Sequence, residues 1–215
     1  MIAATDTLAQ AAAHLNGHDP VLAGVIARVG PCRLRPHAEY YRELVDSIIS
    51  QQLSIKAAAT IFGRFKALFG DTFPTPTQLL AKTPEELRAA GLSGAKAAYV
   101  HDLAQHIVSG TLNINALPDL ENTEIIRELT AVKGIGEWTA HMFLIFSLGR
   151  LDVLPTGDLG IRSGIQKLYK LTALPDPTAI RTMAEQYNWH PYESVASWYI
   201  WQSLTLPVES LPKRP

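Results

Sequence analysis

The chain has 215 residues, enough to bury a sizeable core as one large domain or two small lobes. Hydrophobic residues make up 47% and charged residues 18%, which excludes a disordered chain. The net charge of −1 excludes the broad basic footprint of many nucleic-acid-binding domains, and the single cysteine, Cys32, excludes a disulfide framework, a multi-cysteine zinc site and a cysteine-ligated iron–sulfur cluster.

The opening segment MIAATDTLAQAAAHL lacks the positive n-region of a signal peptide. The most apolar stretch, Met142–Leu148, is too short to cross a bilayer, so no membrane association is expected. One cysteine fits a reducing compartment.

In chain order, Thr7–Leu15 and Pro20–Val29 read as helices, the second with proline at its first position. Arg33–Pro36 is a break. Tyr40–Ser50 carries Leu44, Val45, Ile48 and Ile49 at helical spacing. A turn follows at Gln51–Leu53. Ser54 then caps a helix whose apolar positions are Ile55, Ala58, Ile61, Phe62, Phe65 and Phe69. Gly70–Pro76 reads as a loop. Thr83-Pro84-Glu85-Glu86 is a helix start with cap, proline and first-turn acids, and that helix ends at Gly91. Ala95–Ser109 is helical. Pro118–Asn122 is a loop, with Thr123 capping Glu124–Leu129.

A Gly-Ile-Gly turn follows, then a helix over Glu137–Leu148. Arg150–Gly157 is an extended loop, Asp158–Leu171 a helix, and Pro175–Pro177 a break. Thr178–Gln186 and Glu193–Leu204 complete the pattern, with Pro207–Pro215 as a frayed tail. No segment alternates long enough for a strand. The expected fold class is all-α, two helical lobes with a central cleft. One lobe comprises residues 1–35 plus 145–215, and the other residues 36–144.

The segment LTAVKGIGEWTA, Leu129–Ala140, is the most informative. Val132 points to the core. Gly134 and Gly136 permit positive φ and close approach of another backbone. The next helix begins at once, so its unpaired N–H groups and positive dipole end lie beside the glycines. This predicts a phosphate site at Lys133, Gly134, Ile135, Gly136 and Thr139 that needs little net charge. A tight turn with glycines for packing only is the competing account. The longer pattern, L-x-x-V-x-G-I-G-x-x-T-A, resembles the helix-hairpin-helix DNA-binding motif. That resemblance implies a monovalent cation, Na+ or K+, on the backbone carbonyls of Thr130, Val132 and Ile135.

Asp158 lies in LDVLPTGDLGIRSG and opens a helix. Alone it reads as an N-cap, the commonest task of aspartate there. Gly160 and Gly164 are expected to leave one helix face bare. A hairpin followed by a Gly/Pro-rich loop and an aspartate is similar to the helix-hairpin-helix–Gly/Pro–Asp superfamily of base-excision DNA glycosylases. SIISQQLS at Ser47–Ser54 resembles that family's DNA-inserting turn, and WHPYESVASWYIW at Trp189–Trp201 its last active-site helix. The likeness runs from Pro20 to Leu206 and is strongest to the 3-methyladenine DNA glycosylase II branch, without an amino-terminal β-domain.

The resemblance implies excision of alkylated purines from damaged double-stranded DNA, with Asp158 as the catalytic carboxylate. Bifunctional members carry a Schiff-base lysine two residues past the second glycine of the turn. Trp138 stands there, which implies hydrolysis without strand cleavage. Trp138, Tyr192 and Met142 are the expected base pocket, and Gln52 or Leu53 the wedge that fills the gap left by a flipped base. Arg162 and Ser163 are expected to contact the DNA backbone, Arg162 alternatively to pair with Asp158. Trp198 and Trp201 are expected in the core. Glu193 departs from the branch, where arginine is common. His101 and His106 are five apart and suggest no metal site.

No catalytic cofactor, zinc or iron–sulfur cluster is expected. A monomer is expected, in the bacterial cytoplasm and nucleoid or in a eukaryotic nucleus. A non-catalytic DNA-binding module and a glycosylase for deaminated or other lesions are the alternatives.

Overall fold

A computed structural model describes residues 5–206. Among the described residues the chain forms α1 (Thr5–His18), α2 (Pro20–Val29), α3 (Tyr40–Ser50), α4 (Ile55–Ala67), α5 (Pro76–Leu80), α6 (Pro84–Ala89), α7 (Gly94–Val108), α8 (Asn122–Thr130), α9 (Glu137–Phe146), α10 (Leu159–Leu168), α11 (Pro177–Gln186) and α12 (Glu193–Ser203). A 3-10 turn covers Leu117–Asp119. No strand occurs among the described residues, so the fold is all-α. The tail at Pro207–Pro215 lies outside them.

The chain divides into two compact units, one of Met1–Pro36 with Leu144–Pro215 and one of His37–Phe143. In the first, α12 packs on α1, α2 and α10. Asp19, fully buried, is its polar anchor. Its Oδ1 caps α2 by accepting the amides of Val21 at 2.9 Å and Leu22 at 3.0 Å. Its Oδ2 accepts from Trp189 Nε1 at 2.9 Å and from the Tyr169 hydroxyl. A buried carboxylate is tolerable only when its oxygens are satisfied in this way. Burial, and next the Asp19 charge, hold the Tyr169 pKa far above its ordinary value, which keeps the hydroxyl a donor.

The expected bare face of α10 is filled. A Cβ built on Gly164 would lie 2.5 Å from Ile200 Cγ2 and 3.2 Å from the Ile200 carbonyl oxygen. The glycines therefore let α12 approach α10 closely. Small polar residues serve the same end on α12. Ser194 is buried, accepts from the Val153 amide at 3.1 Å and donates to the Val153 carbonyl at 3.2 Å, which ties the loop before Asp158 to the helix.

In the second unit α3, α5 and α6 pack on α7. Helix α5 lies just past the expected loop. Thr75 and Gln78 form a capping box around Pro76, the device also seen at Thr83, Pro84 and Glu86. The expected Thr123 cap is corrected: α8 starts at Asn122, its N-cap is Glu121, and Glu124 Oε2 accepts the Glu121 amide at 3.3 Å. Ile55, read as part of an apolar face, is 91% exposed.

The glycine contact generates a prediction. Gly164→Ala should destabilise the protein by about 1–3 kcal/mol, because the methyl overpacks against Ile200. Gly157→Ala, at a position where an added Cβ meets nothing within 4 Å, should change stability by less than about 0.5 kcal/mol. Urea denaturation midpoints measure both, and equal midpoints would contradict the packing account.

Candidate functional site

Asp158 caps α10 from an extended backbone conformation, φ −70° and ψ 126°. Its Oδ1 accepts the Ile161 amide at 2.8 Å and the Trp201 indole N–H at 2.9 Å. The residue is 9% exposed. The cap is therefore real, and a second donor from α12 aims the same carboxylate. Gly160 makes room: its Cβ would stand 3.0 Å from Asp158 Oδ1 and 3.1 Å from Trp201 Cδ1.

This corrects the placement of Trp201 and Trp198 in the core. Both are half-buried. Trp201 lies 5.7 Å from the Phe146 ring, and Trp198 packs edge-on to Tyr199 at 5.0 Å. Sequence reasoning missed Trp201 because helical periodicity reports burial, not what a polar ring edge touches. A buried indole N–H usually finds an acceptor, and that was the available signal.

Also in the first unit, Arg162 Nε donates to the Pro175 carbonyl at 2.8 Å, so this nitrogen braces the break before α11. Ser163 is half-buried on α10. Tyr192 is half-buried and meets His14 edge-on at 5.2 Å. Glu193 sits 3.0 Å from His190 Nδ1, a partner for the carboxylate that stands where the related branch carries arginine.

In the second unit the hairpin has two unlike glycines. Gly134 has φ 84°, and a Cβ there would collide with the Tyr99 ring at 2.2–2.8 Å. Packing alone explains it. Gly136 is exposed, and a Cβ there would meet nothing within 4 Å. Its open face, at the start of α9, is what an approaching backbone needs. Val132 and Ile135 are buried, and the Ile135 amide donates to the Val132 carbonyl at 3.1 Å.

Two expectations change here. Thr139 is buried, which puts its side chain inside the unit and not on the surface. Lys133 is an exposed cation but a paired one. Its amide donates to Asp102 Oδ2 at 2.8 Å, and its Nζ lies 3.5 Å from Asp102 Oδ1. Trp138 on α9 is 49% exposed, and Met142, one turn on, is half-buried.

Ser50–Leu53 forms a type II turn closed by the Leu53 amide on the Ser50 carbonyl at 3.1 Å. Gln51 has φ −48° and ψ 129°, and Gln52, exposed at the tip, has φ 58°. Leu53 is half-buried. Lys96 Nζ donates to the carbonyls of Ile49 at 2.8 Å and Gln51 at 2.7 Å, and burial lowers its pKa. A groove of about 580 Å³ between α3 and α4 is lined by Glu39, Glu43, Asp46 and Phe62 among others. Of the expected pocket and wedge residues it holds only Leu53.

The three hairpin carbonyls named above are neutral oxygen donors of the kind a hard cation takes. The Val132 oxygen keeps a second lone pair beside the Ile135 amide. Among the described residues no cluster of three His, Cys, Asp or Glu side chains could hold a metal ion.

The left-handed φ at Gln52 costs a side chain on the order of 1 kcal/mol. Gln52→Gly should therefore raise the urea midpoint slightly. Gln52→Val, β-branched at positive φ, should lower stability by about 1–2 kcal/mol. Identical midpoints for all three proteins would show that the turn is not strained.

Comparison with known proteins shows the family. The chain matches the family described as "HhH-GPD superfamily base excision DNA repair protein" over residues 45–189. It is 37% identical over 214 residues to DNA-3-methyladenine glycosylase 1 of Schizosaccharomyces pombe, covering 97% of this chain and 93% of that one. A crystal structure of a DNA-3-methyladenine glycosidase from Bacillus halodurans superposes with a TM-score of 0.81 at 40% identity, covering 89% of this chain and 87% of that one. The Schizosaccharomyces pombe glycosylase Mag1 in complex with abasic DNA gives a TM-score of 0.80 at 36% identity, covering 93% and 98%. Hairpin, Gly/Pro-rich loop and capping aspartate thus occur here together with family-level similarity in both sequence and fold, and the chain belongs to the HhH-GPD superfamily of base-excision DNA repair proteins.

Proposed function

We propose that this chain is a monofunctional DNA glycosylase that removes alkylated purines of the 3-methyladenine and 7-methylguanine type from duplex DNA. The observation that carries the reading is the Asp158 carboxylate, nearly buried and held on one oxygen by the Ile161 amide and the Trp201 indole. The names of its relatives, DNA-3-methyladenine glycosylases, support the substrate class.

The chemistry suits one carboxylate. An N-alkylated purine is cationic, so its glycosidic bond is weak and the departing base needs little protonation. Its loss leaves an oxocarbenium-like sugar. Asp158 stabilises that cation and orients the water that captures it. A preorganised charge of this kind contributes about 3–4 kcal/mol. Trp138 offers an indole face to a cationic base, worth about 0.5–2 kcal/mol. Met142, one turn after Trp138 on α9, adds a polarizable sulfur beside that face in this reading. Trp138 stands where a bifunctional enzyme has its lysine, so no Schiff base forms and the sugar–phosphate strand stays intact.

The open Gly136 face and the first turn of α9 take a backbone phosphate, with Gly134, Ile135 and the exposed Lys133 around them. A Na+ or K+ ion on the Thr130, Val132 and Ile135 carbonyls would add positive charge beside that phosphate. Arg162 and Ser163 contact the DNA backbone. Gln52, exposed at its turn, is the wedge, in preference to half-buried Leu53. The enzyme acts as a monomer where the chromosome lies, in a bacterial nucleoid or a nucleus.

Two predictions test this. Wild type should release 3-methyladenine or 7-methylguanine from methylated duplex DNA. Asp158→Asn, which keeps an oxygen for both donors, should lose about 10²–10³-fold in single-turnover rate while still binding DNA. Equal release would make Asp158 a cap only, as in a non-catalytic binding module. A borohydride-trapped adduct would refute the monofunctional assignment. Trp201→Phe removes one donor and should slow release about tenfold while costing less than about 1.5 kcal/mol of stability, read from urea denaturation. An undiminished rate would show that the indole does not aim the carboxylate.

A further inference from the structure

The Gly134–Gly136 hairpin and the Gln51–Leu53 turn are distant in sequence, yet side chains that the reaction does not use connect them. Gln51 Nε2 donates to the Gly134 carbonyl at 2.8 Å, across 83 residues. Helix α7 supports both turns. Lys96 holds the Ile49 and Gln51 carbonyls, Tyr99 lies against Gly134, and Asp102 accepts the Lys133 amide. These three residues recur every third position, which puts them on one helix face.

The local geometry explains why such bracing is needed. Gln52 has a backbone conformation that side chains disfavour, at φ 58°. A type II turn with glutamine at this position relaxes unless outside contacts hold it. Gln51 is the residue before the tip. Its carbonyl is fixed by Lys96, and its side chain reaches the one hairpin carbonyl next to the buried Ile135. The link runs from the Gln51 side chain to a main-chain carbonyl of the hairpin, and the Gln51 main chain is itself held by Lys96, so moving one turn moves the other.

We propose that Gln51 is a positioning residue that holds the DNA-inserting turn in register with the phosphate-binding hairpin. Phosphate capture at Gly136 and insertion of Gln52 then occur on one rigid piece. This rests on the reading given under Proposed function. Its distinguishing consequence is that Gln51 acts through Gln52. General structural glue would affect folding and binding regardless of the tip residue.

A double-mutant cycle on the full chain tests it. Gln51→Met keeps side-chain length but removes the N–H donor. Single-turnover release of 7-methylguanine from a defined duplex, and base opening reported by 2-aminopurine beside the lesion, are measured for wild type, Gln51→Met, Gln52→Ala and the double variant. Gln51→Met should lower rate and base opening about tenfold, with affinity for undamaged duplex changed less than about threefold. In the Gln52→Ala background the same substitution should cost less than about twofold. Equal costs in the two backgrounds, or an unchanged rate in Gln51→Met, would overturn the proposal while leaving the glycosylase reading intact. No release by wild type would overturn that reading and the proposal with it. If Gln51→Met does not fold, Gln51→Glu, of the same size and also without the donor, takes its place in the cycle.

Discussion

The site in the first unit depends on the contact between two glycines and one helix. Gly160 and Gly164 fall one turn apart on α10; Gly164 has no room for a Cβ against Ile200, and a Cβ on Gly160 would press on Asp158 Oδ1 and the Trp201 ring. Removing those side chains lets Ile200 seat against α10 and brings the adjacent Trp201 within hydrogen-bond reach of Asp158. With larger residues at these positions α12 would stand off, and the indole N–H would miss the carboxylate. The cap and the aimed carboxylate are thus one arrangement. Asp19, at the start of α2, fixes the other side of the unit by gathering donors from α2, Tyr169 and Trp189.

The second unit shows how a chain of net charge −1 can serve a polyanion. Its nearest lysines both have partners within the protein, although Lys133 stays exposed. Lys133 is paired with Asp102, and Lys96 turns inward to two carbonyls. Beside Lys133 the hairpin offers backbone: an exposed glycine at the head of a helix. Backbone amides bring partial charge without net charge, and they act only at the range of a hydrogen bond. On the proposed reading, positioning therefore matters more to DNA engagement than total charge. This gives the α7 face of Lys96, Tyr99 and Asp102 its importance.

Much of this was legible in the sequence, and what was not has identifiable reasons. Caps, prolines and apolar periodicity located the long helices, because those signals are local. Helix α5 escaped because five residues are too few to show a period, although its capping box was readable at Thr75-Pro76-Thr77-Gln78. Glu121 displaced Thr123 as a cap because both residues precede the same apolar run. The hairpin and Asp158 stood out through linear motifs. Trp201 did not, since its partner lies 43 residues away, and Gln51 did not, since its partner lies 83 away. Periodicity reports which face of a helix is buried, but not which polar atoms meet there. The two glycines of the hairpin also looked alike in sequence. Only the Tyr99 ring distinguishes Gly134, needed for packing, from Gly136, which faces open space.

That difference bears on how the proposed chemistry is divided. A cationic base already has a weakened glycosidic bond, so the protein need not supply a strong acid or a covalent nucleophile. It must place one negative charge where a sugar cation develops and exclude other geometries. A hydrogen-bonded cap meets that need, because the Ile161 amide and the Trp201 indole fix where Oδ1 points before substrate arrives. Preorganisation of this kind uses bonds that also stabilise the fold. The same economy appears in the second unit, where the Gln51 amide and the Lys96 ammonium hold a strained turn through main-chain carbonyls. In both units, the groups assigned to chemistry or DNA are held by neighbours that never touch the substrate in this reading. Selectivity for damaged purines then follows from the lability of the lesion acting on a rigid site, without a large electrostatic attraction to DNA.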